Sequence, residues 1–126
     1  MPYIAIVDDE GAIRKALRRL LRASGLDAEA YATGEEFLSA VAQKRPDCLV
    51  LDLHMPGMSG LQLLRTLKAT GELLPVVMIT AHDEPETRVQ CMDAGADAYL
   101  RKPLEDKLLL KAISVAMRPR TSPGKD

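Results

Sequence analysis

Three aspartates carry the chemistry open to this sequence: the adjacent pair Asp8 and Asp9, with Glu10 behind them, and Asp52 at the end of an apolar run. Carboxylates brought together repel, and each resists ionising unless a cation stands between them. Mg²⁺ meets that need. It takes oxygen ligands in an octahedron at about 2.0–2.1 Å, keeps several waters, and uses one or two carboxylates beside phosphate oxygens. On this reading Asp9 and Asp52 bind the ion directly and Asp8 acts through water. No Cys/His cluster competes for zinc. An aspartate beside Mg²⁺ and a lysine can attack phosphorus, because the cations neutralise the transferring group and align donor and acceptor. Thr80 can donate its hydroxyl to a phosphoryl oxygen, and Lys102 can offer a point charge to another. Each residue alone has an ordinary structural reading, since an acid after a strand commonly caps a helix. Their recurrence at successive strand ends is what argues for a site.

The elements that must position these groups are short β-rich runs alternating with helical patterns. Tyr3–Val7, Asp27–Tyr31, Cys48–Leu51, Val76–Ile79 and Ala98–Leu100 are the expected strands. Such alternation implies βαβ units and a parallel sheet. The first, third and fourth runs are almost wholly apolar, as strands covered on both faces should be; the second and fifth are mixed and belong nearer the edges. In a sheet of this kind functional groups gather at the carboxyl ends of the strands, where strand order reverses. That edge receives Asp8, Asp9, Asp52, Thr80 and Lys102.

Between the strands, Ile13, Leu17, Leu20 and Leu21 share one face of a first helix, with Arg14, Lys15, Arg18, Arg19 and Arg22 around the rest. Gly25 supplies its stop. Thr33 with Glu36, and Ser59 with Gln62, have the spacing of capping boxes for the second and third helices. Leu61, Leu64 and Leu67 are expected to point inward. The fourth helix, from about Pro85 to Ala94, is weakly patterned, with Val89 and Met92 its main apolar positions. The fifth, from about Glu105 to Met117, has Leu108, Leu109, Ala112, Ile113 and Ala116 on a broad apolar face.

A chain of 126 residues, 47% of them hydrophobic, can bury one core and is too short for two ordinary domains. Residues 1–118 are read as that domain and 119–126, rich in Pro, Ser and Gly, as a tail or the start of a linker. The formal net charge of −1 gives no bulk argument for a nucleic-acid or membrane surface. Cys48 and Cys91 lack redox or metal spacing and read as small buried hydrophobes in a reducing compartment. With neither an apolar leader nor a membrane-length run in the sequence, the expectation is a soluble cytoplasmic protein.

The blocks IVDDE, VLDLHMPGMSG, VVMITAHD and YLRKP together resemble the response regulator receiver domains of two-component signalling, over roughly residues 3–117. The resemblance implies a flavodoxin-like (βα)₅ α/β fold, a doubly wound parallel sheet of strand order 2-1-3-4-5. It implies Asp52 as phosphoacceptor from a sensor histidine kinase, Asp8 and Asp9 as the acidic pair, and the main-chain carbonyl of His54 as a further Mg²⁺ ligand. It makes Lys102 the catalytic cation, Thr80 the switch hydroxyl and Tyr99 the second switch residue, and it implies a cis Lys102–Pro103 peptide. The domain would be a signalling module catalysing its own phosphorylation and dephosphorylation, not an enzyme acting on a separate substrate. The block order resembles the transcription-factor type of regulator.

The fourth helix, fifth strand and fifth helix are the expected surface of a phosphorylation-favoured homodimer. The basic face of the first helix is a kinase-docking surface or simply a solvated face. No aromatic-interleaved basic patch supports direct nucleic-acid binding. His54 and His82, two residues after Asp52 and Thr80, are exposed loop histidines or residues that tune phosphoryl lifetime. A small Mg²⁺-dependent phosphohydrolase is disfavoured by the lack of a second acid two residues after Asp52. A flavin-binding protein is disfavoured by the acidic first loop, where a phosphate needs amides and positive charge. A phosphorylation-independent binding module would have no use for so costly an acidic cluster.

Overall fold

The computed structural model describes residues 1–71 and 73–119. Its elements run β1 (Tyr3–Val7), α1 (Gly11–Ala23), β2 (Asp27–Tyr31), α2 (Gly34–Val41), β3 (Cys48–Asp52), α3 (Gly60–Ala69), β4 (Val76–Thr80), α4 (Pro85–Asp93), β5 (Ala98–Arg101) and α5 (Asp106–Ala116). All strand pairings are parallel, in the order β2-β1-β3-β4-β5. The chain steps outward from β1 to β2, then crosses back to β3 on the other side of β1, so strand order reverses between β1 and β3. The mixed strands β2 and β5 are the edges, as their composition implies.

Alternation along the buried strands divides the core between the two faces of the sheet. Ala5, Val7, Leu49, Leu51, Val76 and Met78 pack with Phe37 of α2, Leu63, Leu64 and Leu67 of α3 and Cys91 of α4. Ile4, Ile6, Val50, Val77 and Ile79 pack with Leu17 and Leu21 of α1 and Leu109 and Ile113 of α5. This three-layer sandwich holds the carboxyl ends of β1, β3 and β4 side by side. Strands β3, β4 and β5 each run one residue beyond the sequence expectation, which takes Asp52 and Thr80 into the ladder, opposite Ile79 and Arg101.

The helix ends follow local chemistry, with corrections. After α1, Gly25 adopts φ +85° while its N–H bonds Arg22 O and that of Leu26 bonds Leu21 O, the paired closure that satisfies terminal carbonyls. Ser59 and Gln62 form the expected reciprocal box. At α2, Thr33 accepts from Glu36 N, but the Glu36 carboxylate reaches the N–H of Ala32 and not that of Thr33. Leu63 joins Leu64 and Leu67 inside, while Leu61 is half-buried.

On α4 the expectation fails: Val89 and Met92 are exposed and Cys91 is the buried position. Leu108 of α5 is also exposed. The α5 face is read too broadly from sequence and the α4 face wrongly, because apolar type alone does not say which side of a helix meets the sheet. Both cysteines are free and buried, and burial pushes the Cys48 thiol up to about 12. Among the described residues no helix is long and apolar enough to cross a membrane. The expected tail, from residue 120 onward, lies outside the described residues.

Candidate functional site

β1 delivers Asp8 at the sheet edge, where its N–H bonds Tyr31 O and continues the pairing with β2. The Asp8 carboxylate is fully buried; Oδ1 accepts from the N–H of Glu10 at 2.9 Å, and Oδ2 accepts from Lys102 Nζ at 2.9 Å. Asp9 is exposed beside it. Asp52 closes β3 with its side chain buried and accepts from Lys102 Nζ at 3.3 Å. One oxygen from each of Asp8, Asp9 and Asp52 can be chosen so that all lie within 4.8 Å of one another. The proposed carboxylates, drawn from the ends of two adjacent strands, are therefore together.

Lys102 enters from β5. Its N–H bonds Thr80 O at 2.7 Å, the Lys102–Pro103 peptide is cis, and the ammonium spans Asp8 and Asp52 with Glu10 Oε1 at 3.7 Å. Burial alone would lower its pKa, but the hydrogen bond to Asp8 and the charges of Asp52 and Asp8 more than offset this, holding it above the ordinary lysine value. Asp52 is raised too, which for a carboxylate favours the neutral form. Burial first, and the neighbouring Asp8 second, push it up to about 7 against the pull of Lys102. One ammonium does not neutralise this pocket. An all-oxygen donor set with a surplus of negative charge suits a hard divalent cation, so the residues fit Mg²⁺.

Thr80 is buried at the end of β4, and its hydroxyl is committed to the next turn, donating to His82 O and accepting from His82 N, each at 3.0 Å. Tyr99 of β5 is buried, and among the described residues its hydroxyl makes no hydrogen bond of good geometry, although the Thr80 hydroxyl lies close enough to act on it. The Arg88 guanidinium lies 5.1 Å from the centre of that ring. His54 follows β3 in an exposed position and adds no side-chain donor to the carboxylate group.

Sequence reasoning missed two contributors. Arg14, read only as part of a basic helix face, donates from Nη1 to the main-chain oxygen of Asp8 at 2.9 Å. Its place one turn into α1 was the available signal. Gly60 is the other, and it does not serve a turn: the positive φ near Asp52 belongs to Gly57, at +76°. A side chain on Gly60 would instead overlap the main-chain oxygen of Asp52, while its N–H bonds Leu53 O at 2.9 Å. Only glycine lets the start of α3 press against the strand that carries Asp52.

Comparison with known proteins agrees with this architecture. The family model for the response regulator receiver domain matches residues 4–114. Response regulator MprA of Mycobacterium avium (strain 104) is 44% identical over 123 residues, covering 98% of this chain and 54% of that protein. MprA of Mycobacterium leprae (strain TN) is 46% identical over 120 residues, covering 95% and 52%. The chain thus spans about half the length of the curated relatives it matches. Among solved structures, the crystal structure of FixJ-N superposes with a TM-score of 0.88 at 35% identity, covering 97% of this chain and 98% of that one. A response regulator receiver protein from Burkholderia phymatum gives 0.81 at 42% identity, covering 93% and 95%. Carboxylate cluster, lysine bridge, strand order and sequence kinship coincide, and the chain belongs to the response regulator receiver domain family of two-component signalling.

Proposed function

We propose that this domain accepts a phosphoryl group on Asp52 from the phosphohistidine of a sensor histidine kinase, in a Mg²⁺-dependent reaction. The observation that carries the reading is the buried Asp52 carboxylate at a central strand end, bridged by Lys102 Nζ at 3.3 Å and grouped with Asp8 and Asp9. Asp9, Asp52 and the main-chain carbonyl of His54 would hold Mg²⁺ directly, with Asp8 acting through water. The bound ion supplies charge neutralisation on the transferring phosphoryl group. An Asp52 oxygen bonds to phosphorus as the donor P–N bond breaks and the imidazole leaves. Lys102 pairs with a phosphoryl oxygen, and Arg14 and Gly60 keep the Asp8 and Asp52 main chains in place.

The same reading gives Thr80 and Tyr99 the switch. Thr80 would exchange its hydrogen bond to His82 for one to a phosphoryl oxygen, and only an interaction better in the active state can bias the balance. The orphan hydroxyl of Tyr99 supports a residue whose partners differ between states. The exposed Val89, Met92 and Leu108 support a phosphorylation-favoured homodimer through α4, β5 and α5. Output would be transcriptional, exerted by a longer protein, with this segment making no direct nucleic-acid contact. Phosphoryl donation by a sensor kinase would support a cytoplasmic location.

Intact-mass measurement after incubation with Mg²⁺ and acetyl phosphate tests the assignment. A hydroxylamine-labile phosphoryl adduct on the parent, absent from Asp52→Asn, is the expected result. An equal adduct on both proteins would put the phosphoryl group on a residue other than Asp52 and overturn the assignment, and no adduct with any donor would favour a phosphorylation-independent binding module.

A further inference from the structure

The loops leaving β3 and β4 each carry one histidine, and these are the two histidines of the chain. His54 and His82 are remote in sequence, yet their rings meet with centroids 5.4 Å apart and planes at 78°. Both lie on anchored backbone. Leu53, just before His54, bonds Ile79 O through its N–H and accepts from Gly60 N. His82 is held at both its N–H and its carbonyl by the Thr80 hydroxyl. Both residues are exposed, and among the described residues no side-chain hydrogen bond or ion pair engages either imidazole. Two imidazole rings are thus presented side by side at the carboxyl edge of the sheet.

We propose that His54 and His82 form a two-nitrogen site for a borderline divalent cation of the zinc, nickel or copper type. It is distinct from the all-oxygen site of Asp8, Asp9 and Asp52. Metal–nitrogen bonds of about 2.0–2.1 Å, meeting near the tetrahedral angle, hold two imidazole centroids roughly 5–5.5 Å apart. The observed 5.4 Å falls in that interval. Ligand chemistry separates the two sites. Imidazole suits zinc, copper and nickel, whereas carboxylates and water suit magnesium. The remaining positions on the ion are taken by water. Separate loops leave no spacing signature of the kind by which Cys/His metal motifs are read, so the sequence alone hides the pair.

Binding would tie the loop after Asp52 to the loop after Thr80 and so resist rearrangement of the Thr80 turn. The binding itself does not depend on the phosphorylation reading. If phosphorylation fails while zinc still binds, that reading falls and this inference stands.

The test is calorimetric titration of the tag-free domain with Zn²⁺ in excess Mg²⁺, so that the carboxylate site is already occupied. The parent is compared with His54→Gln, His82→Gln and the double variant; both side chains are exposed, and circular dichroism checks the fold. The expected result is one site whose affinity drops about tenfold or more in either single variant, with no further loss in the double. Nitrogen chemical shifts of both imidazoles should move together, saturating at one equivalent. No Zn²⁺ binding by the parent, affinity unchanged in either single variant, or losses that simply add in the double would each overturn the proposal. The last would mean two independent histidines, and unchanged affinity would mean zinc on the carboxylates.

Discussion

At the residue scale the controlling fact is charge confined at Asp52. Its folded pKa of about 7 stands above the ordinary 3.8, so the fold favours the protonated form. The stability this represents is fully present below about pH 4 and is lost as pH rises through about 7. Asp52→Asn removes the penalty at higher pH and leaves Lys102 paired with Asp8 at 2.9 Å. Urea unfolding without Mg²⁺ should find the variant more stable at pH 8 by on the order of 1–2 kcal/mol. The difference should vanish near pH 4, and a variant less stable at pH 8 contradicts the charge assignment. Thr80→Ala makes a different cut. Losing two hydrogen bonds to His82 costs about 1–2 kcal/mol in stability. Labelling by acetyl phosphate should survive better than phosphorylation-dependent dimerisation, and equal loss of both would sink the division between acceptor and switch.

At the element scale, the legible features were those set by local chemistry. Strand cores, glycine stops and the Ser59 cap follow from adjacent residues, and the site carboxylates were legible because each closes a recognisable strand. What sequence did not disclose depends on which way a helix turns or how closely two backbones approach. Val89, Met92 and Leu108 face solvent although their type argues otherwise, and Arg14 turns back to a carbonyl instead of joining a solvated stripe. Gly60 is the sharpest case, since its role is absence of a side chain against Asp52 O. Gly60→Ala must shift α3 or the end of β3. It should cost roughly 1–3 kcal/mol in stability and slow Asp52 labelling severalfold, measured by unfolding and by the time course of the mass adduct. Normal labelling in a folded variant would show that the close approach does not position Asp52.

At the scale of the whole molecule, a parallel sheet covered on both faces leaves its carboxyl edge as the place where charge collects, and α4 and α5 carry exposed apolar side chains. On the proposed function, Thr80 and Tyr99 link the two. Val89→Asp, on an exposed position, should leave labelling intact and weaken dimerisation of the phosphorylated domain about tenfold or more, as read by sedimentation. An undiminished dimer would move the interface elsewhere. The central claim is that Asp52 itself receives the phosphoryl group. Borohydride reduction of the labelled domain converts an acyl phosphate into homoserine, which peptide mass spectrometry locates. Homoserine at position 52, formed only when Mg²⁺ is present, is the predicted result. Homoserine at position 8 or 9, or at no aspartate of a domain that has taken up phosphoryl groups, would contradict it.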